Sequence, residues 1–313
     1  MTQVRLFFIK LTLLLVLIAS ILAGTIFLIP PDPDGYFQAS LYKLDILNRT
    51  PSPRIIVVGG SNVAFGVDSQ MLESGLGIPV VNMGLHAGLG ENSYKEVRGY
   101  IRPGDIILLM PEYSMFRTDD VLKGNDLALS QWIEYDLTRL RLVDPGRVPR
   151  LIQTIVQVKA TRRLVSLLNK GQLDRSGYTS DQFNRWGDFT GQLGATEPIK
   201  NLGPEPYLYP GDFNLHTYQF FEKFNQDALA KGAIVYLEFP ASRGINCLST
   251  GEAQFQTLYN NLKKLTTIPI ITDMKDLCFP NADFFDNIQH LNGVGRELMT
   301  ERLIRDLRPF IPQ

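Results

Sequence analysis

Five short runs rich in Val, Ile or Leu, each followed by a longer stretch with helical periodicity, constrain the fold of this chain more than any other feature. The runs occupy residues 55–58, 79–82, 105–110, 233–237 and 269–272. Continuous apolar runs of this length predict strands buried on both faces, as in a parallel sheet covered by helices. Helices are predicted near residues 68–76, 91–101, 213–231, 251–266 and 292–308. The alternation predicts an α/β fold, a three-layer sandwich around a mostly parallel five-stranded sheet.

A long helical insertion separates the third and fourth predicted strands, at about residues 114–212. It is predicted to contain two helices, near 127–142 and 147–169. Between Ser130 and Lys170 there are eight basic residues against three acidic ones. We favour a cap that packs its apolar side on the main domain and leaves a basic face in solvent. The alternative is a basic amphipathic helix that contacts anionic lipid headgroups.

The N-terminus carries an apolar run, residues 11–29, which contains no charge over 19 residues. A helix of that length is roughly 28 Å long, close to the ~30 Å hydrocarbon core of a bilayer. Arg5 and Lys10 precede the run, whereas Asp32 and Asp34 follow it. This asymmetry predicts a single-pass membrane anchor with the N-terminus in the cytoplasm and the remaining chain outside.

A cleaved signal peptide is the alternative interpretation of the N-terminus. Its apolar region would be shorter, roughly 7–15 residues, and would end at a small-residue cleavage site. Thr25 also stands where a lipoprotein signal would have its lipidated cysteine. We therefore favour an uncleaved anchor at 1–30, followed by a linker at 31–53 and one domain at 54–313 that contains the insertion.

The composition excludes several classes of function. Lys and Arg number 31 against 32 Asp and Glu, which gives a net charge of −1. A nucleic-acid partner would require a clear cationic excess. Cys247 and Cys278 are too few for a zinc module, and they form either one disulfide or two buried thiols. No cofactor or metal is predicted, and the sequence identifies no protein partner.

Residues 57–66 are the most informative stretch for chemistry, because a predicted strand ends there in two glycines and a serine. Glycines allow a sharp turn of the backbone. Ser61 is therefore predicted at the carboxyl edge of the sheet, at or near the start of a helix. Free N–H groups at a helix start stabilise an anion, so a nucleophilic serine is expected in such a place. The structural alternative for Ser61 is a helix cap or a turn residue.

A nucleophilic serine needs a base, and the chain has three histidines. His290 follows the last predicted strand and precedes the last helix, which places it on the same sheet edge as Ser61. An acidic neighbour would hold its imidazole in the tautomer that accepts a proton. Each of these two histidines also has a simpler interpretation. His290 could be an ordinary surface loop residue, and His86 could be a loop residue that does not contact substrate. Together, Ser61 and His290 favour nucleophilic catalysis.

Four segments carry a family resemblance: GGSNVAFGVDS, VVNMGLHAGLG, PGDIILLMPEY and DNIQHLNGVG. They resemble the SGNH (GDSL-like) hydrolase superfamily, and more narrowly its membrane-anchored, extracytoplasmic branch, some members of which act in acylation of cell-surface polysaccharides. The resemblance covers residues 54–113 and about 213–308, and implies a flavodoxin-like domain. It implies that Ser61 is the nucleophile and His290 the base. It also implies that the N–H groups of Ser61 and Gly84 donate to an oxyanion hole.

The chain departs from the family pattern in two places. The orienting acid usually lies three residues before the histidine, where this chain has Asn287, so Asp286 is taken as the acid and Asp283 as the alternative. The third block usually ends in an Asn whose amide completes the oxyanion hole, but here Glu112 follows the strand. Asn82 is a possible substitute donor, unless the hole has backbone donors only. An ionised Glu112 would oppose an oxyanion unless it is protonated or turned away.

The sequence therefore predicts a membrane-anchored serine esterase or O-acyltransferase that acts on an acyl ester of a cell-envelope glycan or a related substrate. The rival prediction is a catalytically weak or inactive SGNH-like module that binds glycan or scaffolds an envelope assembly. Three predicted strands end in acidic residues: Glu112, Glu238 and Asp273. A divalent cation is one interpretation of these carboxylates. We favour caps, salt-bridge partners or acceptors for substrate hydroxyls.

Overall fold

The computed structural model of the protein describes residues 2–169, 177–195 and 202–311. The first part contains, in chain order, α1 (Thr2–Leu28), α2 (Ala39–Arg49), β1 (Ile55–Gly59), α3 (Ser61–Gly66), α4 (Ser69–Leu76), β2 (Val80–Asn82), α5 (Glu91–Arg98), β3 (Ile106–Met110), α6 (Asp119–Lys123), α7 (Asp126–Ile133) and α8 (Val148–Leu168). The second part contains α9 (Leu215–Ala230), β4 (Ile234–Leu237), β5 (Ser242–Arg243), α10 (Gly244–Thr250), α11 (Glu252–Leu265), β6 (Cys278–Phe279) and α12 (Gly293–Leu307).

The main sheet is parallel and has the strand order β2-β1-β3-β4. In its register, Ile55 of β1 lies between Val80 of β2 and Ile106 of β3. Every residue of β1 and β3 is buried, which explains why both strands are continuous apolar runs in the sequence. The first four predicted strands are thus confirmed, as is the prediction of a mostly parallel α/β fold.

The segment predicted as the fifth strand, residues 269–272, does not form a strand. It makes a single parallel bridge, in which Ile270 lies beside Leu237 at the end of β4. Pro269 has no N–H and contributes only its carbonyl, which accepts from the Leu237 N–H. The Ile271 N–H donates back to the Leu237 carbonyl, and the pairing ends there. The main sheet therefore has four strands rather than the predicted five.

A second, two-stranded parallel sheet pairs β5 with β6. Beside it, Cys247 of α10 and Cys278 of β6 form a disulfide, with their Cα atoms 6.2 Å apart. Of the two states that the sequence left open for these cysteines, the structure has the disulfide.

The direction of the crossovers explains how helices cover the main sheet. The chain moves one way from β1 to β2 and the opposite way from β2 to β3, so right-handed crossovers place α4 and α5 on opposite faces. Helix α12 packs against α4, and α9 packs against α5. These two helical layers enclose the strands, and the carboxyl ends of β1 and β3 open at one common edge.

Helix α1 extends away from the domain and is exposed along most of its length. Its segment Gln3–Leu28 is long and apolar enough to cross a membrane. Helix α8 packs against α1, and Lys159 of α8 donates hydrogen bonds to the carbonyls of Ile26 and Ile29, both at 2.8 Å. These carbonyls lie at the C-terminal end of α1, where intrahelical partners run out. The insertion therefore holds the end of the apolar helix.

Residues 31–53, which the sequence analysis assigned to a linker, instead contribute to the domain. They contain α2, which packs against β2. Leu47 of α2 is fully buried, and Lys43 is buried with its ammonium group bonded to the carbonyls of Asn82 and Gly84. The buried face of α2 includes Ser40 and Lys43, so it does not stand out as an apolar stripe in the sequence.

The insertion builds a second hydrophobic cluster next to the main core. Trp132 of α7 and Leu151 of α8 are buried in it, together with Phe65 of α3 and Phe189. Helix α8 agrees with the helix predicted at 147–169. The helix predicted at 127–142 is shorter, because α7 ends at Ile133 and a 3-10 helix, Leu137–Leu142, follows.

Several basic side chains of the insertion are paired with carboxylates inside it. Arg147 and Arg150 contact Asp126, and Arg162 of α8 contacts Glu134. These pairs favour the interpretation of the insertion as a packing element. Lys170, which the sequence analysis counted among the basic residues, lies outside the described residues.

Candidate active site

Ser61 is the first residue of α3 and lies directly beyond the carboxyl end of β1. The turn between them requires glycines, because a methyl group on Gly59 would lie 2.6 Å from the Met110 carbonyl oxygen. On Gly60, a methyl group would meet Glu112 Oε1 and would lie 3.1 Å from the backbone nitrogen of Ala87. Ser61 is partly exposed and lines a cavity of about 350 Å³. The predicted location of Ser61 is therefore confirmed.

The cavity brings together residues from distant parts of the chain. It is lined by Ser61, His86, Ala87, Glu112, Ser114, Arg117, Glu205, Pro206, Tyr207, Tyr209, Asn287, Ile288 and Gln289. The segment 287–289 immediately precedes His290, so the loop of the predicted base borders the same space as the predicted nucleophile.

His290 is buried, and its imidazole is oriented by Asp286. The distance from His290 Nδ1 to Asp286 Oδ1 is 2.8 Å. Asn287, at the place where the family has its acid, accepts the backbone N–H of His290 at 2.9 Å and shapes the loop. Although burial opposes the shift, hydrogen bonds from His290 and Tyr178 lower the pKa of Asp286. The Asn287 amide nitrogen also lies 2.8 Å from Nδ1. Because an ionised carboxylate can only accept, Asp286 favours the tautomer with the proton on Nδ1, in which Nε2 of His290 is the basic nitrogen.

Asp283, the alternative acid, does not contact His290. Its side chain is buried, and Oδ2 has no hydrogen-bond partner among the described residues. Burial raises the pKa of this carboxyl group. Of the two acids that the sequence proposed, Asp286 is the one that holds the histidine.

The Phe65 ring fixes the imidazole from one side. Phe65 lies one helical turn after Ser61 in α3, and its ring stacks on His290 with centroids 3.8 Å apart and planes 8° apart. His290 Nε2 is buried and makes no hydrogen bond with the described part of the chain. No hydrogen bond joins Ser61 Oγ to His290, which is common in free enzymes, where such contacts tighten when substrate binds.

Two of the predicted oxyanion donors are already engaged elsewhere. The Gly84 N–H donates to Asn82 Oδ1 at 2.9 Å. The Asn82 amide donates to the Val63 carbonyl at 3.0 Å and to Asp188 Oδ1 at 2.8 Å. Both residues are buried beneath α3 and do not line the cavity. The assignment of Gly84 and Asn82 to an oxyanion hole is therefore corrected: they support the backbone under Ser61.

The N–H of Ser61 is still available as a donor. It belongs to the first turn of α3, where N–H groups have no partner within the helix. Ala87, on the loop after β2, lines the same cavity, and its N–H makes no hydrogen bond to the described residues. These two N–H groups are the backbone donors that remain on this side of the cavity.

Glu112 follows β3 and occupies the place where the family pattern has its Asn. Its side chain is only 8% exposed and reaches the start of α3, where it faces the backbone N–H of Asn62. Burial raises the pKa of Glu112 to about 7. The side chain is therefore directed into the site, not turned away from it.

His86 also borders the cavity, and its tautomer is fixed by the backbone. Its Nδ1 accepts the N–H of Gly88 at 2.9 Å, so in the neutral ring Nε2 carries the proton. Burial, with a smaller contribution from His290, lowers the pKa of His86. His86 is thus a neutral donor at neutral pH, and its ring packs on Phe37.

The insertion supplies a site residue that sequence reasoning missed. The Tyr178 hydroxyl hydrogen-bonds to Asp286 and lies 3.4 Å from His290 Nδ1. Its ring also packs on Phe65 and Phe189. No local pattern marks Tyr178, because its position depends on how the insertion folds back over α3.

The other acidic residues at strand ends have structural roles. Glu238, beyond β4, is fully buried, and its Oε2 lies 2.6 Å from the Thr272 hydroxyl. Asp273 caps a short 3-10 helix by accepting the Lys275 N–H at 3.2 Å. Within the described ranges, no three of the His, Cys, Asp and Glu side chains are arranged to hold a metal ion.

No protein-family model matches this chain, and no curated protein matches its sequence. The function is therefore argued from the geometry of the site.

Proposed function

We propose that this protein is a membrane-anchored serine esterase or O-acyltransferase of the SGNH type. Ser61 is the nucleophile, His290 the general base and Asp286 the residue that orients the base. One observation carries the proposal: Asp286 holds Nδ1 of His290 at 2.8 Å, Nε2 has no hydrogen-bond partner among the described residues, and residues 287–289, directly before His290, line the cavity that contains Ser61. A basic nitrogen without a partner is what a serine hydroxyl needs in order to lose its proton.

The reaction follows from these roles. His290 Nε2 takes the proton from Ser61 Oγ as the oxygen attacks the ester carbonyl, and the new C–O bond gives a tetrahedral oxyanion. When the intermediate collapses, the bond to the leaving alcohol breaks, and the alcohol takes the proton from His290. The acyl-enzyme on Ser61 is then resolved by water or by a sugar hydroxyl, with His290 acting again as base.

The strand arrangement supports the SGNH part of the proposal. In the order β2-β1-β3-β4, the carboxyl end of β1 lies between the ends of β2 and β3. The bridge at Ile270 extends the sheet beyond β4. A flavodoxin-like sheet with five positions has this order, and its ligands bind beyond the carboxyl ends of the strands. Ser61 and Glu112 both follow strands at that edge.

We infer the location of the domain, and from it the class of substrate, from helix α1 and the disulfide. The charge asymmetry around α1 supports a cytoplasmic N-terminus and an extracytoplasmic domain. The Cys247–Cys278 disulfide agrees with this, because disulfides persist mainly in oxidising compartments. An anchored esterase domain on that side meets envelope glycans and lipid-linked esters, and we propose an acylated glycan or a related small ester as substrate.

Covalent labelling of the full-length protein in detergent tests the catalytic assignment. We expect a fluorophosphonate probe to label the wild type but neither Ser61→Ala nor His290→Ala. Ser114→Ala is the matched control, because Ser114 lines the same cavity but no hydrogen bond joins its side chain to the described His290 loop; it should label like the wild type. Turnover of a p-nitrophenyl acyl ester, with and without added oligosaccharide, then separates hydrolysis from transfer.

A non-catalytic glycan-binding module is the second candidate, favoured by the absence of a Ser61–His290 hydrogen bond and by the corrected roles of Asn82 and Gly84. It predicts no labelling of any variant at any pH, together with oligosaccharide binding that Ser61→Ala leaves unchanged.

A further inference from the structure

Glu112 is the least expected group in the candidate site, because a carboxylate next to an oxyanion would oppose the reaction. Its Oε1 lies so close to Gly60 that a methyl group on Gly60 would clash with it. The same cavity contains both Glu112 and Ser61. A carbonyl oxygen bound at Ser61 would therefore develop its negative charge beside the Glu112 carboxyl group.

The hydrogen-bond partners of Glu112 are neutral. The backbone N–H of Asn62 faces its carboxyl group and by itself lowers the pKa. The Gln289 amide lies 2.9 Å from Oε2 and 3.2 Å from Oε1, and donates to both when its nitrogen faces the carboxyl group. Within residues 2–169, 177–195 and 202–311, no Lys or Arg forms a salt bridge with Glu112, and the nearby Arg117 is paired with Asp212. A buried carboxyl group without a cationic partner favours its neutral form.

The charged and titratable groups around Glu112 do not reverse this preference. They are His86, Arg117, Glu205, Tyr207 and Tyr209 in the cavity, and Tyr36 and Tyr94 behind it. Arg117 is paired with Asp212, with Nε 3.2 Å from Oδ2. His86 is neutral for the reasons given above. Burial consequently dominates and raises the pKa of Glu112 to about 7.

We propose that Glu112, as a neutral carboxylic acid, donates a hydrogen bond to the oxyanion and so replaces the amide that the third sequence block lacks. This inference rests on the proposed esterase function. In the tetrahedral intermediate the Glu112 O–H shares its proton with the oxyanion without transferring it, and the Ser61 N–H is a second donor. When Glu112 ionises, the donor is lost and a negative charge faces the developing oxyanion, so the reaction stops.

Two properties follow that a purely structural Glu112 would not produce. Ser61-dependent acylation should fall at alkaline pH, by about tenfold per pH unit above the pKa of Glu112. Glu112→Gln replaces the acid by an amide of nearly the same shape that donates at every pH. It should remove the alkaline fall and exceed the wild-type rate at about pH 9. Glu112→Met, which donates nothing, should be about 10²–10³-fold slower than the wild type below the pKa of Glu112 and should show no alkaline fall.

The test measures the rate of fluorophosphonate labelling of the full-length protein against pH, with the folded state of each variant verified by its thermal unfolding. Glu238→Gln is the matched control, since Glu238 is also a buried acid beyond a strand end but does not line the cavity. Its labelling profile should equal that of the wild type.

An infrared difference spectrum of wild type minus Glu112→Gln gives a reading that does not depend on activity. At about pH 6 it should contain the carbonyl stretch of one protonated carboxyl group, and the band should disappear as the pH is raised through the range of the labelling profile. A carboxylate band at about pH 6 overturns the inference, as does a Glu112→Gln variant that is inactive or keeps the alkaline fall. If the wild type labels at no pH, the esterase proposal fails first and this inference fails with it.

Discussion

Asp286 and His290 lie four residues apart in one loop, and the carboxylate of the first is 2.8 Å from Nδ1 of the second. The loop segment between them turns tightly because Asn287 Oδ1 accepts the backbone N–H groups of both Gln289 and His290. One extra residue relative to the family spacing is thus absorbed by a side-chain-stabilised turn. The geometry leaves Nε2 as the nitrogen that can accept a proton.

Asp286→Asn should separate the two acids that the sequence left open. Without the carboxylate, the imidazole loses its preferred tautomer and the stabilisation of its charged form, so labelling of Ser61 should slow by about 10²–10⁴-fold. Asp283→Asn is the control, because Asp283 has no contact with His290 and its labelling rate should stay at the wild-type level. If Asp283→Asn slowed labelling and Asp286→Asn did not, the assignment of Asp286 as the orienting acid would be contradicted.

Tyr178→Phe tests whether the insertion contributes to the site. The variant loses the hydroxyl that bonds to Asp286 and helps to lower the pKa of that carboxyl group. We expect labelling to slow by about tenfold, the value of one hydrogen bond to a charged group, with the acyl-ester specificity unchanged. Tyr135→Phe, which removes a hydroxyl bonded to the Asp32 carbonyl, is a control in the same insertion. If Tyr178→Phe and the wild type label at equal rates, the Tyr178 hydroxyl does not contribute to the site.

The sequence predicted those parts of the fold and site that local patterns encode. Four buried strands appear as continuous apolar runs, and helices such as α4, α5 and α9 appear through their periodicity. Ser61 was found because glycines precede it, and both glycines are required by close contacts at the end of β1. His290 and Asp286 were found because they lie in one loop next to a helix start.

The remaining features depend on contacts between distant segments. Asn82 and Gly84 looked like oxyanion donors, but Asp188, which binds the Asn82 amide, comes from the insertion more than 100 residues later in the sequence. Tyr178 reaches the site in the same way. The predicted fifth strand does not form, because Pro269 lacks an N–H to donate and a single bridge is not enough pairing for a strand. No pattern within a short window of sequence contains this information.

A buried ion pair at the opposite end of the sheet predicts a large effect on stability. Arg54 and Asp105 are both fully buried and paired, with Nε 3.1 Å from Oδ1. Asp105→Ala leaves the guanidinium buried without a counter-charge, so we expect a loss of about 3–5 kcal/mol and a fall in Tm on the order of 10 °C. Asp45→Ala breaks the exposed pair with Arg49 and should cost at most about 0.5 kcal/mol. Similar Tm changes for the two variants would contradict the role of burial.

Glu238 predicts how stability depends on pH. The Thr272 hydroxyl lies 2.6 Å from Glu238 Oε2 and 2.8 Å from Asp306 Oδ2, yet it has one proton to donate. If Glu238 is protonated, it donates to Thr272 and Thr272 donates to Asp306, so every contact is satisfied. Burial accordingly raises the pKa of Glu238 from 4.5 to about 8.

The sign of the effect follows from proton counting. Between pH 4.5 and about 8 the folded state keeps a proton on Glu238 that the unfolded state has lost, so the free energy of unfolding falls as the pH rises. The slope due to this group is at most about 1.4 kcal/mol per pH unit. In Glu238→Gln this contribution is absent, so the Tm difference, variant minus wild type, should increase across that range and stay constant above it. Burial lowers the pKa of Lys43 to about 7, so Lys43 makes stability rise with pH instead. Because the variant and the wild type both contain Lys43, its contribution cancels in the Tm difference. A Tm difference that is independent of pH would show that Glu238 is ionised in the folded protein.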